Sequence, residues 1–488
     1  MIAGMDEPQA DTAETADTAV SPDAWGGAPL RSTLKVLAIP AAVVAFVVVL
    51  GLPAWILYIF GAGFGLWLLP RILRDAEPLM AIAIAYLPLS KMFVVPVAPG
   101  LNGTNILLVL LIVSALRQGR DEQAVDAPRS PSAGLVRWYA IVTLISIPTA
   151  MFVAGVDFVV ERGAEVKLWL DQFIVFFTFS RLIRDGKMAR RIVVYMMVAA
   201  TVVLLLGFQE WLEKRGSGSI EKARLLGPQL QPNDFGAYLA YAAAPFIALL
   251  LVNINRPRIL AIAIPYLIVT SRIVLATFSR GAYLGVALAG VVAGYVRGKI
   301  FVVGAAVAGL LLVVAFPEVV PESLRARMGQ TSSESTGTEA LDTSSQTRLV
   351  LWDAALKMTK KSPILGYGFK TFPKFKGEFT ETEVHESDNH NMYLYLSSQM
   401  GIPAVVLFVM LLWRLGSVGI RVYRGSEESF ARVAGMSGAA LAAAAFLLNM
   451  FGSRMVDICV SVNFWITLAV VSRLWMDIEA RRMTEQPQ

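Results

Sequence analysis

Between residues 34 and 475 the chain returns repeatedly to apolar runs about as long as a bilayer interior is thick. A helix rises about 1.5 Å per residue, so roughly 20 apolar residues cross about 30 Å of hydrocarbon. Such runs lie near residues 34–50, 53–69, 78–97, 104–116, 136–154, 165–183, 190–211, 234–252, 258–276, 282–296, 298–316, 393–414, 430–451 and 456–475. Lipid offers no hydrogen-bond partner to a bare backbone, so each run reads as a helix. The expectation is an all-α polytopic integral membrane protein with about 12 to 14 transmembrane helices. Some runs are short, and Pro88 and Pro96 break the third, so "LPLSKMFVVPVAPG" reads as a kinked or re-entrant segment.

Charge then orients the chain. Only 16% of residues are charged, against roughly a quarter in soluble domains. Stretches such as "RILRDAE", "RLIRDGKMARR", "NRPR" and "RGK" alternate with connections that lack Lys and Arg, such as "GLP" and "APGLNG". By the positive-inside rule the basic connections and both termini are cytoplasmic. The net charge of +6 is therefore no sign of nucleic acid, because membrane proteins gather their cations in these loops. Residues 1–30 have no cationic segment followed by an apolar one and read as a disordered cytoplasmic tail. The chain then divides into transmembrane helices at 31–189 and 190–316, a large outward loop at 317–391, transmembrane helices at 392–476 and a cytoplasmic tail at 477–488.

Three outward places break the charge rule: the 212–233 connection with Arg224, the tight "FSRGA" turn with Arg280, and the 317–391 loop. Long loops cross regardless of charge, so a solvated surface accounts for the lysines of the third. An arginine at the end of a span is different, because near hydrocarbon it is costly and usually has a partner, often an anion. Headgroup snorkelling is the alternative for Arg280 taken alone.

Four motifs share that outward side. In "RLLGPQLQPNDFGAYLA", Pro232 forces Gln231 out of helical geometry, and Asn233 or Asp234 is positioned to cap the helix that follows. In "FSRGAYLG", Ser279 and Gly281 bracket Arg280 at a reversal between spans. In "QTRLVLWDAALKMTKKSPILGYGFKTF", Leu349, Trp352, Ala355, Leu356 and Thr359 have amphipathic helical spacing, with Arg348 expected in the first turn. In "VHESDNHNMYLYL", Ser387, Asp388 and Asn389 are cap candidates, which would put His390 in the first turn of a helix. A helix N-terminus disfavours the imidazolium whereas Asp388 and Glu386 favour it, and the sequence leaves that balance open. His385 and His390 are five apart, the wrong offset for one helix face, and Cys459 is the sole cysteine, so no metal site is expected.

In this order the four motifs resemble the O-antigen ligase and polymerase superfamily of bacterial envelope glycosyltransferases. The residues that carry the resemblance are Pro232-Asn233, Ser279-Arg280-Gly281, Arg348 with Leu351-Trp352, Pro363 with Leu365-Gly366-Tyr367-Gly368, and His390-Asn391 ahead of Gly401-Ile402-Pro403. The resemblance covers about residues 190 to 420; the departure is the crowding of His390 by "HESDN". The resemblance implies metal-independent glycan transfer, with no cofactor, at the periplasmic face of the bacterial inner membrane. The donor would be a glycan on an undecaprenyl-diphosphate carrier. The acceptor would be lipid A-core for a ligase, or another carrier-linked glycan for a polymerase. It implies catalytic roles for His390, Arg280 and Arg348 and diphosphate binding by Arg280 and Arg348. Arg224 joins the diphosphate group by position, with Asn233, Asn391 and Asp388 in support. A competing reading is a transporter of a charged lipid or solute, to which the intramembrane Arg272, Lys167, Asp171 and Lys91 would belong.

Overall fold

The computed structural model describes residues 63, 70, 74–93, 96–98, 101–118, 130–215, 220–301, 343–381 and 384–485. The expected spans at 34–50, nearly all of 53–69 and 298–316, the tail 1–30, and the first part of the outward loop lie outside the described residues. Helices dominate: α1 (Glu77–Tyr86), α2 (Gly103–Gln118), α3 (Ala133–Ala154), α4 (Gly163–Leu182), α5 (Gly186–Glu213), α6 (Pro232–Val252) and α7 (Pro257–Ala276). There follow α8 (Arg280–Arg297), α9 (Thr343–Lys361), α10 (Met392–Met400), α11 (Ile402–Gly425), α12 (Ser429–Leu448) and α13 (Ile458–Glu485). Among the described residues seven helices, α3, α5, α6, α7, α11, α12 and α13, are long and apolar enough to cross a membrane. The protein is thus a polytopic membrane protein.

Three of the seven form the centre. The apolar windows of α6, α12 and α13 are 78%, 78% and 89% buried inside the protein, against 28–44% for α3, α5, α7 and α11. Both α6 and α12 are rich in alanine and glycine, and small side chains let helices approach without a gap. Gly419 of α11 and Gly435 of α12 show how close: a Cβ on either would lie 2.5 Å from the other's carbonyl oxygen. The remaining helices wrap this centre with one face inward and the other toward the surroundings.

The expected boundaries change at four points. The run at 78–97 is a short helix, α1, with a single tight turn at Leu87–Leu89, then a small antiparallel hairpin of β1 (Pro96–Ala98) and β2 (Leu101–Asn102). It reverses as a re-entrant segment would, because Pro88 and Pro96 deny it a continuous ladder. The run at 393–414 is two helices, broken where Gly401 takes φ +80° between α10 and α11. The helix expected to end at 476 continues to Glu485. Finally, α9 begins at Thr343, so Arg348 lies beyond its first turn. Its buried stripe is Leu351, Ala354, Ala355, Met358 and Thr359, which keeps Ala355 and Thr359 of the expected one, whereas Leu349 and Leu356 are exposed. The packing of α9 onto α10 selects that stripe over the one expected.

Candidate active site

Two adjoining cavities open among the connections at one end of the bundle. The first, about 470 Å³, is walled by Arg224, Arg280, Arg348 and Arg454, with Phe278, Leu284, Leu349, Trp352, Leu448 and Phe451 supplying an apolar side. Among the described residues no carboxylate lines it. The second, about 410 Å³, holds His390 together with Asp234, Asp388, Glu165, Asp457, Lys370, Arg162, Tyr395 and Gln399. Arg454 lines both.

Each arginine arrives by a different route. Arg224 lies in the connection ahead of α6, donating from Nε to the Thr277 carbonyl (3.2 Å) and from Nη2 to Asn233 Oδ1 (3.4 Å). That connection is itself tied to α5, because the Glu210 carboxylate accepts from the backbone N–H of Leu226 and Gly227 at 3.0 and 2.8 Å. Gln229, buried nearby, donates to the Pro88 carbonyl (3.0 Å), a structural bond to the re-entrant segment. The cap of α6 is Gln231, whose side chain accepts from Asp234 N (2.7 Å), with Pro232 at the first helical position. The expected caps, Asn233 and Asp234, are thereby released for the site: Asn233 to Arg224, and Asp234 to Arg454 Nη1 at 2.5 Å. Arg280 opens α8 immediately after Ser279, and its side chain is exposed into the first cavity.

Arg348 and His390 are held together by the contact of α9 with α10. The Trp352 indole donates to the Asn389 carbonyl (2.8 Å), and the Thr359 and Ser397 hydroxyls share a hydrogen bond of 2.9 Å. The "LGYG" segment closes the same contact from below. The N–H groups of Tyr367 and Gly368 donate to the Ser398 and Gln399 carbonyls (2.9 and 2.8 Å), and Ile402 N donates to the Pro363 carbonyl (2.8 Å). Gly366, Gly368 and Gly401 all have positive φ, and a Cβ on any of them would meet backbone at 2.0–2.3 Å. The glycines of "LGYG" and "GIP" are therefore two halves of one joint.

His390 is not in the first turn of α10. Asn391 is the cap, its side chain accepting from Tyr393 N (3.0 Å) and Leu394 N (3.2 Å), and His390 precedes it with φ +53°. A left-handed backbone cannot continue into an α-helix, which moves the start two residues beyond the expected one. The imidazole is half-buried, with Nδ1 3.8 Å from Asp388 Oδ2. Burial holds its pKa below the ordinary 6.5, aided by Arg348 and Arg454 and opposed by Asp388 and Glu386. At neutral pH it is uncharged and able to accept a proton. His385 is exposed and lines neither cavity.

The structure thus brings Arg224, Arg280, Arg348 and Asn233 to one cavity and His390 and Asp388 to the next, while Asn391 acts through its cap. Three further residues take roles in the site that were not anticipated for them. Arg454 is 8% exposed, Asp234 positions it, and the buried Asn449 joins the parts. Asn449 accepts from Met392 N on its carbonyl (2.8 Å) and from Arg454 N on Oδ1 (3.2 Å), and donates from Nδ2 to Tyr241 Oη (3.2 Å). Arg454 lies in the short outward connection between the last two spans, so the charge rule that flagged Arg280 applies to it equally. Lys91 pairs with Asp457 at 2.6 Å and stands 4.0 Å from Asp234. The other residues of the transporter reading pair locally: Lys167 with Asp171 at 2.5 Å, and Arg272 over the Trp211 ring at 4.9 Å. Among the described residues no three His, Cys, Asp or Glu side chains form a metal-ligand group.

Residues 265–409 match the family model described as O-antigen ligase. Over that segment the chain is similar to the O-antigen ligase family. It takes in Arg280, Arg348 and His390, and stops short of Arg224 on one side and Arg454 on the other. No curated protein matches the chain.

Proposed function

We propose that this chain is an O-antigen ligase-like glycosyltransferase that moves a glycan from undecaprenyl diphosphate to an acceptor sugar hydroxyl. The reaction takes place at the periplasmic face of the bacterial inner membrane, in lipopolysaccharide or exopolysaccharide synthesis, and needs no metal ion. One observation carries the reading: a cavity with four arginines, and no acid among its described lining residues, meets at Arg454 a cavity holding an uncharged histidine.

The chemistry follows from the sorting of charge. The acceptor oxygen bonds to the anomeric carbon as the bond from that carbon to the diphosphate oxygen breaks. The departing diphosphate gains negative charge, which guanidinium groups neutralise through paired N–H donors. The apolar side of the same cavity, with Phe278, Leu284 and Leu448, suits the first part of an isoprenyl chain. His390, neutral before reaction, takes the acceptor's proton as the new bond forms. Asp388, 3.8 Å away, favours the imidazolium that results.

The test is transfer by purified protein from an undecaprenyl-diphosphate-linked oligosaccharide to candidate acceptors in the presence of chelator. Transfer should persist with chelator and fall strongly in Arg280→Ala, Arg348→Ala and His390→Ala. Full activity in all three variants would overturn the site, and loss with chelator would overturn metal independence. A single capped acceptor identifies the ligase activity we favour; a ladder of repeats identifies a polymerase.

A further inference from the structure

The two cavities differ in a way that bears on what the second one accepts. Four cations line the arginine cavity, and none of its described lining residues is an acid. In the His390 cavity the ionised groups are matched within the protein. Lys370 pairs with Glu165 (2.9 Å), Arg454 with Asp234 (2.5 Å), and Asp457 with Lys91 (2.6 Å). Asp388 accepts from the Ser453 hydroxyl (2.9 Å), and Arg162 stands 3.8 Å from Glu161. A carboxylate or phosphate entering here would find no cation in need of an anion, and four acids lining the wall to repel it.

Two neutral groups complete that wall. Tyr395 and Gln399, one turn apart on α10, are buried and interact with each other, and neither Tyr395 Oη nor Gln399 Oε1 has a hydrogen bond of full geometry among the described residues. The Gln399 amide is oriented by its Nε2, which donates to the Tyr395 carbonyl (3.2 Å), so Oε1 is left as an acceptor. The Tyr395 ring is stacked on Trp169 (5.6 Å between centroids), which fixes where its hydroxyl can reach. Buried oxygens without partners are costly unless a ligand completes them, and a sugar hydroxyl is a donor and acceptor of the right kind.

We infer that the His390 cavity is an acceptor subsite for an uncharged sugar, read by Tyr395 and Gln399 and closed to sugars carrying a carboxylate or phosphate. This rests on the glycosyltransferase reading and adds to it the class of acceptor. Charge then sorts the substrates: the diphosphate is drawn to the arginines, and the neutral acceptor is tolerated beside the acids. Glu165 is central to the exclusion, because removing it leaves Lys370 without its counter-charge.

The experiment is retention of fluorescent full-length protein on a glycan array pairing neutral oligosaccharides with the same glycans bearing a uronic acid or a phosphate. Inorganic pyrophosphate is present throughout, and glycans whose retention falls in Arg280→Ala are assigned to the arginine cavity and set aside. Among the rest, the wild type should hold neutral glycans at least 10-fold better than their acidic counterparts. Glu165→Gln should narrow that ratio by admitting the acidic ones. The double variant Tyr395→Phe, Gln399→Met should lower neutral retention 10-fold or more, while Tyr395→Phe alone leaves the melting temperature unchanged or raised. Equal retention of neutral and acidic glycans, no glycan left after the Arg280 control, or neutral retention unchanged in the double variant would each overturn the inference. Undecaprenyl diphosphate binding, measured in parallel, separates the two readings. If it remains dependent on Arg280, only the acceptor class has failed; if it does not, the transferase reading fails as well.

Discussion

Arg454 offers the sharpest single perturbation, because it is buried, serves both cavities and lies outside the matched family segment. Arg454→Met keeps a stem of similar length over Gly452, whose Cα leaves room for the guanidinium: a Cβ there would sit 2.3 Å from Arg454 Cζ. Removing one preorganised donor from a developing anion costs about 10²- to 10³-fold in rate, about 3–4 kcal/mol. Arg454 already shares its guanidinium with Asp234 at 2.5 Å, so the lower end applies, about 10²-fold. Stability changes less. Breaking a buried ion pair costs about 3–5 kcal/mol, yet the Asp234 side chain is 19% exposed and retains Lys91 at 4.0 Å. A loss of about 1–2 kcal/mol is therefore expected. The double variant Arg454→Met, Asp234→Asn separates the two effects, since the second change removes the stranded carboxylate. Initial rates with saturating acceptor, together with melting by intrinsic fluorescence, should show stability restored in the double variant and the rate deficit retained. Recovery of the rate along with stability would refute the argument, leaving Arg454 as a partner for Asp234 and nothing more.

Other outcomes follow from the same geometry. The rate should fall on the acid side as His390 protonates, with a midpoint below 6.5 because burial and two guanidiniums lower its pKa. Asp388→Asn removes an influence that raises that pKa and should move the acid limb to still lower pH; a shift upward in the pH–rate profile would contradict the assignment. Gly401→Ala would place a Cβ 2.0 Å from the Ile364 carbonyl oxygen at φ +80°. It should lose about 3 kcal/mol or more, seen as a lower melting temperature and poor yield. Gly452→Ala should instead spare the melting temperature and cut transfer about 10-fold, because the group it meets is the end of the Arg454 side chain.

Much of this was legible in the residues, for identifiable reasons. Apolar length located the spans because lipid imposes one rule on all of them. The outward charge exceptions pointed to Arg224 and Arg280, because a cation at a span end calls for a partner, whereas Arg348 and His390 were singled out by motif and resemblance. What the residues did not reveal was mostly set by tertiary contact. The stripe of α9 that turns inward depends on α10, and three short-range cap candidates before His390 lost to Asn391 because the backbone at His390 is left-handed. Asp234 looked like a cap and became a ligand for Arg454, since Gln231 occupied the cap first. Such exchanges turn on which neighbour reaches a group in space, and spacing along the chain carries little of that.

The same competition explains why the site sits among connections while the fold rests on helices. Among the described residues four other than glycine have positive φ: Leu230, Phe278, Lys370 and His390. Leu230 is in the connection carrying Arg224 toward α6, Phe278 lies two residues before Arg280, and Lys370 and His390 line the second cavity. Each such backbone costs about 1–3 kcal/mol and persists only where its surroundings fix it. Here the surroundings are the close-packed centre of α6, α12 and α13, and the glycine joint that locks α9 to α10. A regular helix end would have satisfied the backbone at lower cost, but it would have carried His390 around into the first turn of α10. The left-handed residue instead holds the imidazole outside the helix, beside Asp388 and within the influence of both Arg348 and Arg454. The strain is therefore concentrated where charge must be brought together, and the rigid bundle beneath is what makes that placement stable.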